Sequence, residues 1–399
     1  MIDESRVRAD TPGCHDQVFL DSAGSSLPPR AVLDAQVRHL RREAEVGGYQ
    51  AAAERAEDLQ GLRAALARLI NAAPADIALT DSATRAWTQF FYSIPLKPGD
   101  RIVIGQAEYA SNAVALLQQA RRTGAVIETV PSDRHGQLDV DALAELLDER
   151  VRLVSLVHVP TNGGLVNPVR EVVELVHGVG ALVLLDACQS IGQLDIDVAA
   201  LGGVDALSAT GRKWLRGPRG TGFLYVRPEL IGELEPPVID LHSAEWTAAG
   251  EYRLAEDATR FELWESDLAG RLGLKAAVDY LLELGPAQVQ RTVQAKADRL
   301  RAGLAELPGV TVTDLGVQRC GIVTFTVHGM APDQVKAALR THRVSTSVSR
   351  RAGTLLDMSS RGLDAVVRAS PHYFVSDEQL DDAVRAVRSV SGQRGSPPK

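Results

Sequence analysis

The stretch RLVSLVHVPTNGGLVNPVREVVELVHGVGALVLLD, residues 152–186, decides the fold of this chain. Its two apolar runs, at 152–159 and 181–186, are typical of strands that are buried on both faces of a parallel sheet. Between them, the pattern at 168–180 opens with proline and ends in glycine, which predicts a helix. A strand, a helix and a strand in this order indicate part of an α/β doubly wound domain.

The same alternation continues on both sides of this stretch. Further strands are predicted at 101–105, 125–130 and 222–226, and further helices at 111–124 and 139–151. From residue 268 onward the pattern changes to that of a smaller α+β unit, with predicted helices at 268–284, 286–306, 332–342 and 376–390 and strands near 310–313 and 321–327. We therefore expect a large domain over 18–267, a smaller domain built from 1–17 and 268–392, and a flexible tail over 393–399.

The composition narrows the class of partner. The 399 residues are 45% hydrophobic and 24% charged, which is typical of a globular protein. The net charge of −8, without a basic block, argues against nucleic acid or an anionic membrane surface as a partner. No apolar run reaches the roughly 20 residues that span a bilayer. Three scattered cysteines form no metal-binding motif and favour a reducing, cytoplasmic setting.

Polar residues follow several predicted strands, where an open α/β sheet binds its ligand. Asp186 and Gln189 follow the strand at 181–186, Lys213 follows a strand near 206–210, Tyr109 follows 101–105, and DSAT (81–84) leads into a helix. An amine, an acid and an anion-binding helix terminus are the parts that a pyridoxal 5′-phosphate site requires. Each residue alone also has a structural explanation, as a solvated lysine, a helix cap or a core aromatic.

Seven segments in a fixed order make the pattern specific, and the chain resembles the class V aminotransferase family of fold-type I pyridoxal-phosphate enzymes. That group includes cysteine desulfurases, selenocysteine lyases and isopenicillin-N-epimerase-like enzymes. The segments are VFLDSAGSSLPP (18–29), DSAT (81–84), AEYASN (107–112), HVPTNGG (158–164), DACQSIGQ (186–193), TGRKWLRGPRGTGFLY (210–225) and RASPHY (368–373).

The resemblance implies roles for individual residues. Lys213 would bind the cofactor covalently and act as general acid and base. Asp186 would pair with the pyridine nitrogen, and Gln189 would hydrogen-bond the phenolic oxygen. The other implied cofactor contacts are Ala83, Thr84, Thr210 and Arg212 at the phosphate, Tyr109 on the ring face, and Thr161 and Asn162 near the substrate side.

The resemblance also places residues of the smaller domain around an amino-acid substrate. Arg368 would clamp the α-carboxylate through a bidentate pair, although a structural ion pair is the alternative. Ser347 would line the substrate entrance, unless its segment is a solvated loop. Family members are usually homodimers, and Ser266 is the candidate for a contact with the partner's phosphate.

The reaction is narrowed by a missing cysteine. Cysteine desulfurases carry a nucleophilic cysteine shortly before the carboxylate arginine, whereas VSTSVSRRAGTLLDM (344–358) has none. Cys188 is expected to be a buried small apolar residue and Cys320 to lie in a strand. This pattern argues against a persulfide relay and favours β-elimination from an S-substituted cysteine or its sulfoxide, which gives a thiol or sulfenate, pyruvate and ammonia.

Within the family, the chain most resembles the hercynylcysteine sulfoxide lyase type of C–S lyase, from ergothioneine biosynthesis. One alternative is a decarboxylating oxidative deaminase of an S-linked cysteine, as in antibiotic and other secondary metabolism. A second alternative is an aminotransferase or epimerase on the same cofactor. A third is a non-catalytic scaffold, against which the intact Lys213, Asp186 and Gln189 argue.

Overall fold

The computed structural model describes residues 2–392, so the tail expected at 393–399 lies outside the described residues. The chain alternates strands and helices through its first two thirds. The strands are β1 (Val18–Phe19), β2 (Ile77–Thr80), β3 (Arg101–Gly105), β4 (Val126–Val130), β5 (Val151–Val157), β6 (Leu182–Asp186), β7 (Ala206–Thr210), β8 (Gly222–Val226), β9 (Ala244–Ala248), β10 (Glu251–Leu254), β11 (Val310–Val312), β12 (Val323–Val327), β13 (Val344–Ser345), β14 (Ser347–Arg350) and β15 (Ala365–Ala369).

The helices range from single turns to long amphipathic rods. They are α1 (Glu4–Ala9), α2 (Ser22–Ser25), α3 (Arg30–Val46), α4 (Gly48–Ala53), α5 (Ala56–Ile70), α6 (Ala83–Phe91), α7 (Ala110–Thr123), α8 (Val140–Leu146), α9 (Val169–Gly178), α10 (Pro228–Ile231), α11 (Leu268–Leu284), α12 (Pro286–Ala305), α13 (Pro332–Thr341), α14 (Leu355–Ser360) and α15 (Asp377–Gly392). No helix within residues 2–392 is both long and apolar enough to cross a membrane.

A seven-stranded sheet forms the centre of the molecule, in the order β2-β8-β7-β6-β5-β3-β4. Parallel pairing links β4, β3, β5, β6 and β7, so the predicted, mainly parallel α/β sheet is confirmed. Leu153 and Val154 are adjacent in β5, yet they belong to separate hydrophobic clusters on the two faces of the sheet. Burial of both faces explains why these strands are continuously apolar.

Two expectations at the edges of this sheet are wrong. Strand β8 runs antiparallel to both of its neighbours, because the connection from β7 contains no crossover helix and simply turns back. Helix α8 ends at Leu146 instead of reaching residue 151. The Asp148 carboxylate accepts hydrogen bonds from the backbone N–H and the guanidinium of Arg150, which forms a turn before β5 begins.

The C-terminal part is built on a second, antiparallel sheet in the order β11-β12-β15-β14. Strand β14 pairs with β15 so that Ser347 lies opposite Arg368. The N-terminal segment joins this part of the molecule, since β1 pairs with β13 and Asp21 forms a bridge with Ser370. The domain boundaries remain a prediction; the packing of α11 on α3 and α5 favours a boundary later than residue 267.

Candidate active site

Lys213 lies in the turn that follows β7, at the carboxyl edge of the central sheet. The turn is held from both sides: Ser26 donates its backbone N–H to the Arg212 carbonyl, and the Arg216 N–H bonds the Lys213 carbonyl. Arg216 takes a left-handed conformation, with φ of 63°. Across the described chain, residues 2–392, the Lys213 amine has no hydrogen bond and no ion pair. It is therefore positioned and available for a ligand.

The electrostatic surroundings of Lys213 favour its neutral form. Burial lowers the pKa of the Lys213 amine, and the Arg212 and Arg368 guanidiniums act in the same direction, while Cys188 and Asp186 oppose them. A neutral amine is the form that attacks a carbonyl and accepts a proton. The side chain can therefore serve as both nucleophile and base.

Asp186 ends β6 and is 6% exposed. Its Oδ1 accepts the Cys188 backbone N–H at 2.9 Å, and its Oδ2 accepts the Asn112 side-chain amide at 3.0 Å. Two donors from different elements thus fix the plane of this carboxylate. A fixed carboxylate in a cleft is suited to hold a protonated ring nitrogen.

Gln189 and Thr161 lie next to each other in the same cleft. Gln189 accepts a hydrogen bond from Trp214 Nε1 at 3.0 Å, and its own amide donates to the Ala23 carbonyl and to Thr161 Oγ1. Thr161 Oγ1 also accepts from Arg368 Nη1 at 2.8 Å. Thr161 Oγ1 therefore accepts two hydrogen bonds, and its own proton points away from both donors. Gln189 uses both of its amide hydrogens, so Thr161 is the better placed donor for a phenolic oxygen.

The N-terminus of α6 provides the anion-binding end of the cleft. Ser82 caps this helix by accepting the Arg85 N–H, so the preceding amides of Ala83 and Thr84 are left at the cleft wall. Thr210 and Arg212 line the cleft from the β7 side, and the Arg212 guanidinium is anchored on the Gly24 carbonyl. Four of the predicted phosphate contacts are thus brought together.

Arg368 on β15 lies beside the cleft, next to the residues that line it, and contacts one of them, Thr161. Its guanidinium is surrounded by Thr161, by the Ser347 hydroxyl at 3.1 Å and by the Asp21 carboxylate at 3.4 Å. Burial lowers the pKa of Arg368, while Asp21 acts in the opposite direction. The ion pair that was the alternative for Arg368 is present, with Nη2 lying 3.4 Å from the Asp21 carboxylate. This contact uses one of the two hydrogens on Nη2, so Arg368 retains a donor for a second carboxylate.

Most predicted site residues meet in one cleft with a volume of about 180 Å³. Tyr109, 38% exposed, lines it together with Lys213, Asp186, Gln189, Thr161, Ala83, Thr84, Thr210 and Arg212, whereas Arg368 and Ser347 lie outside this lining. Asn162 does not, because its amide turns away to the Arg350 carbonyl, the Thr354 hydroxyl and Met358. Ser266 also lies elsewhere, in a groove with Tyr49 and Trp264. Its contact with a partner's phosphate remains a prediction.

Several residues of the site were not singled out from the sequence. Arg219 lines the phosphate end of the cleft from the loop between β7 and β8. Asn112 and Trp214 hold Asp186 and Gln189 in place from behind. Asn112 lies one helical turn after Glu108 in AEYASN, so the i, i+4 spacing was the available signal. For Arg219 and Trp214, the sequence offered no signal beyond their nearness to Lys213.

The positions of two cysteines differ in part from those expected from the sequence. Cys188 is partly exposed in the cleft wall next to Asp186, because the chain turns there after β6. The thiol is nevertheless desolvated, which raises its pKa well above the ordinary range; Asp186 adds to this effect, while Lys213 and Arg212 act against it. Cys320 is fully buried but precedes β12 rather than lying in it. All three cysteines are free thiols.

These residues fit pyridoxal 5′-phosphate. The amine of Lys213 has no protein partner among residues 2–392, and Asp186 presents a fixed carboxylate on the same cleft. At the opposite end, the start of α6 packs directly against Gly222 of β8, where a Cβ would lie 2.7 Å from the Ser82 carbonyl carbon and 2.9 Å from the Ala83 nitrogen. An amine, an acid and a helix N-terminus are the donor set that this cofactor needs.

Known proteins share both the sequence and the fold. A probable cysteine desulfurase of Synechocystis sp. is 32% identical and matches over 94% of this chain and 91% of its own length. The apo structure of a cysteine desulfurase from Thermococcus onnurineus NA1 superposes with a TM-score of 0.91 at 26% identity, covering 98% of both chains. These proteins establish the fold-type I architecture.

A second solved relative is the cystine C–S lyase C-DES, which has been solved with its reaction product, cysteine persulfide. That structure superposes with a TM-score of 0.85 at 25% identity, covering 95% of this chain and 99% of its own. Another structure of C-DES carries glycine linked covalently to its pyridoxal-phosphate cofactor. Residues 18–382 match the model of the aminotransferase class-V family. The chain belongs to this family and is a pyridoxal-phosphate-dependent enzyme.

Proposed function

We propose that this enzyme cleaves the C–S bond of an S-substituted cysteine or its sulfoxide by β-elimination, and releases a thiol or sulfenate, pyruvate and ammonia. The observation that carries the proposal is the combination of a complete cofactor cleft with a substrate-facing segment that has no cysteine. Residues 344–358, which lie within the described chain, bring the Ser347 hydroxyl to Arg368, while Arg350 and Arg351 pair with Asp333 and Asp364. Without a sulfur acceptor, the sulfur leaves with its own substituent.

Pyridoxal phosphate, when bound, supplies an electron sink for negative charge that develops at the substrate Cα. Lys213 holds the cofactor and then moves the Cα proton, for which its lowered pKa suits it. Asp186 keeps a proton on the ring nitrogen, and Tyr109 covers one ring face. Ala83, Thr84, Thr210 and Arg212 hold the phosphate, and Thr161, which accepts a hydrogen bond from Gln189, donates to the phenolic oxygen.

Arg368 orients the substrate through its α-carboxylate. The guanidinium is fixed by Thr161 and Ser347, so little side-chain freedom is lost when a carboxylate binds. Orientation of the substrate then places the Cα–H bond toward Lys213. Removal of the Cα proton leaves an electron pair that forms the Cα–Cβ double bond as the Cβ–S bond breaks and sulfur departs with that bond's electrons. Substrates with good leaving groups, such as thiolates and sulfenates, are therefore expected.

A cysteine desulfurase is the second candidate, and the relatives named above favour it. That reaction delivers sulfur to an enzyme cysteine and releases alanine. Cys14 and Cys320 are buried outside the cleft, while the raised pKa of Cys188 disfavours its thiolate, which is the nucleophilic form. The arrangement of the three thiols therefore supports the lyase over the relay.

The test is an incubation of the purified enzyme with S-substituted cysteines, cystine and their sulfoxides. Pyruvate, ammonia, alanine and carbon dioxide are measured, with Lys213→Ala as the inactive control. Pyruvate and ammonia in equal amounts support the lyase, and the best substrate identifies the leaving group. Alanine would support a desulfurase, carbon dioxide without pyruvate a decarboxylating deaminase, and pyridoxamine-type spectra without cleavage an aminotransferase.

We also propose that the enzyme is a homodimer. Tyr49 and Trp264 are exposed beside Ser266, in a groove next to α4, and their rings are 6.2 Å apart. Exposed aromatic residues are enriched at protein interfaces. Light scattering of the wild type and of Trp264→Glu tests this proposal; a wild-type monomer would contradict it.

A further inference from the structure

Behind Asp186, a second carboxyl group is buried that has no part in the mechanism above. Glu108 is 5% exposed and lies in the loop between β3 and α7. Its Oε2 accepts the Ser155 hydroxyl at 2.7 Å, and its Oε1 accepts the Tyr109 backbone N–H at 2.7 Å. Glu108 is thus tied to β5 and to the residue that lines the cofactor ring.

Asn112 connects this carboxyl group to Asp186. Its amide nitrogen lies 3.0 Å from Glu108 Oε1 and 3.0 Å from Asp186 Oδ2, and it has two hydrogens, one for each acceptor. The side chain is 5% exposed, so water does not compete for these bonds. One amide therefore bridges two carboxyl groups that would otherwise repel each other.

We infer that Glu108 and Asn112 are positioning residues that hold two cofactor contacts at once, the ring-facing Tyr109 and the carboxylate of Asp186. Glu108 orients Asn112, and Asn112 fixes Asp186 Oδ2, while the same carboxyl group clamps the backbone of Tyr109. The inference rests on the cofactor role proposed for Asp186. It extends that role, because the site then depends on a network that never touches the cofactor.

The electrostatics of Glu108 support this arrangement. Burial raises the pKa of Glu108 to about 7, and the nearby Asp186 acts in the same direction, while the bonds from Ser155, Asn112 and Tyr109 lower it. Near neutral pH, the neutral and the charged form of the carboxyl group are therefore both populated. Its Oε1 accepts hydrogen bonds in both forms, so the geometry at Tyr109 and Asn112 is preserved.

The test compares removal of the carboxyl group with its isosteric replacement. Glu108→Gln keeps an oxygen for Tyr109 and Asn112 and an amide for Ser155, so cofactor affinity stays within about threefold of wild type. Glu108→Ala and Asn112→Ala each weaken cofactor binding about tenfold and move the pH midpoint of the visible cofactor band. The double alanine variant loses little more than Glu108→Ala alone, because that substitution already removes both the acceptor at Tyr109 and the group that orients Asn112.

Asp76 provides the matched control, since it is a buried carboxyl group with a raised pKa directly before β2. Asp76→Asn and Asp76→Ala report the general cost of such substitutions. The inference is overturned if the Glu108 and Asn112 variants match these controls in affinity and spectrum, or if Glu108→Gln is as damaging as Glu108→Ala. An Asp186→Ala variant with wild-type affinity and spectrum would instead contradict the proposed cofactor site itself.

Discussion

The cleft at the carboxyl edge of the central sheet and the segment 344–358 that faces it have very different contents. In the cleft, each key group is held by several others: Asp186 by two donors, Gln189 by Trp214, and Lys213 by a braced turn. The facing segment offers hydroxyls, of which Ser347 supports Arg368, while its two arginines pair with Asp333 and Asp364. The difference separates two questions: the cleft holds the groups that suit the cofactor, and the facing segment, which has no cysteine, is the feature on which the proposed reaction rests.

The largest effect is expected from the cleft. Lys213→Ala removes both the group that holds the cofactor and the base, so pyruvate formation falls by at least about 10²- to 10⁴-fold. The assay is pyruvate release under saturating substrate, together with the visible spectrum of the purified protein. Lys275→Ala is the matched control, because Lys275 pairs with Asp279 on α11. A Lys213 variant with activity within tenfold of wild type would contradict the assignment.

A smaller effect is expected where the two regions meet. Arg368→Lys loses the forked geometry that binds a carboxylate, so KM for an S-substituted cysteine rises about 10- to 100-fold with a smaller change in kcat. The internal control is the corresponding S-substituted cysteamine, which lacks the carboxylate. The wild type and the variant should turn over this amine equally poorly. If the variant turns it over more slowly than the wild type, Arg368 acts on something other than the carboxylate.

The third effect concerns stability of the cofactor-free protein. The pKa of Glu108 is raised to about 7 in the folded state, so the folded protein binds this proton more tightly than the unfolded chain. Relative to Glu108→Gln, the wild type therefore loses free energy of unfolding as pH rises from about 5 to about 8, by at most about 3 kcal/mol. Thermal melts across this range measure the difference, and parallel pH curves would contradict it.

The smallest effect is expected for the thiols. Replacing Cys14, Cys188 and Cys320 with alanine, singly and together, should leave the rate of pyruvate release within about threefold of wild type, once the loss of stability is taken into account. The lyase needs no thiol, whereas a sulfur relay needs one. A Cys188→Ala variant that folds and binds cofactor but forms no product would support the relay.

Much of the fold could be predicted from local sequence. Continuously apolar strands and capped helices determined the central sheet, and the first residues of β8 and of α11 were placed correctly. The direction of β8 could not be predicted, because an apolar run looks the same for a parallel and an antiparallel strand. Only the absence of a crossover helix between β7 and β8 indicates that the chain turns back. The end of α8 was missed because the side-chain bonds of Asp148 compete with helix continuation.

The site was predictable to the extent that its residues lie at strand ends in family motifs. Lys213, Asp186 and Thr84 could be found in this way. Asn162 could not be separated from Thr161, because adjacent residues in a loop point in different directions that only the packing of β14 and α14 decides. The network of Glu108, Asn112 and Ser155 depends on three elements that meet only in the folded chain.

The most direct test of the central claim is the ratio of pyruvate to alanine formed from cysteine and from cystine in separate reactions. Both products are quantified by chromatography, and the protein is analysed for sulfur bound to its cysteines. Elimination predicts one pyruvate and one ammonia for each C–S bond cleaved, with no alanine. Alanine as the main three-carbon product, with sulfur on an enzyme cysteine, would contradict the account.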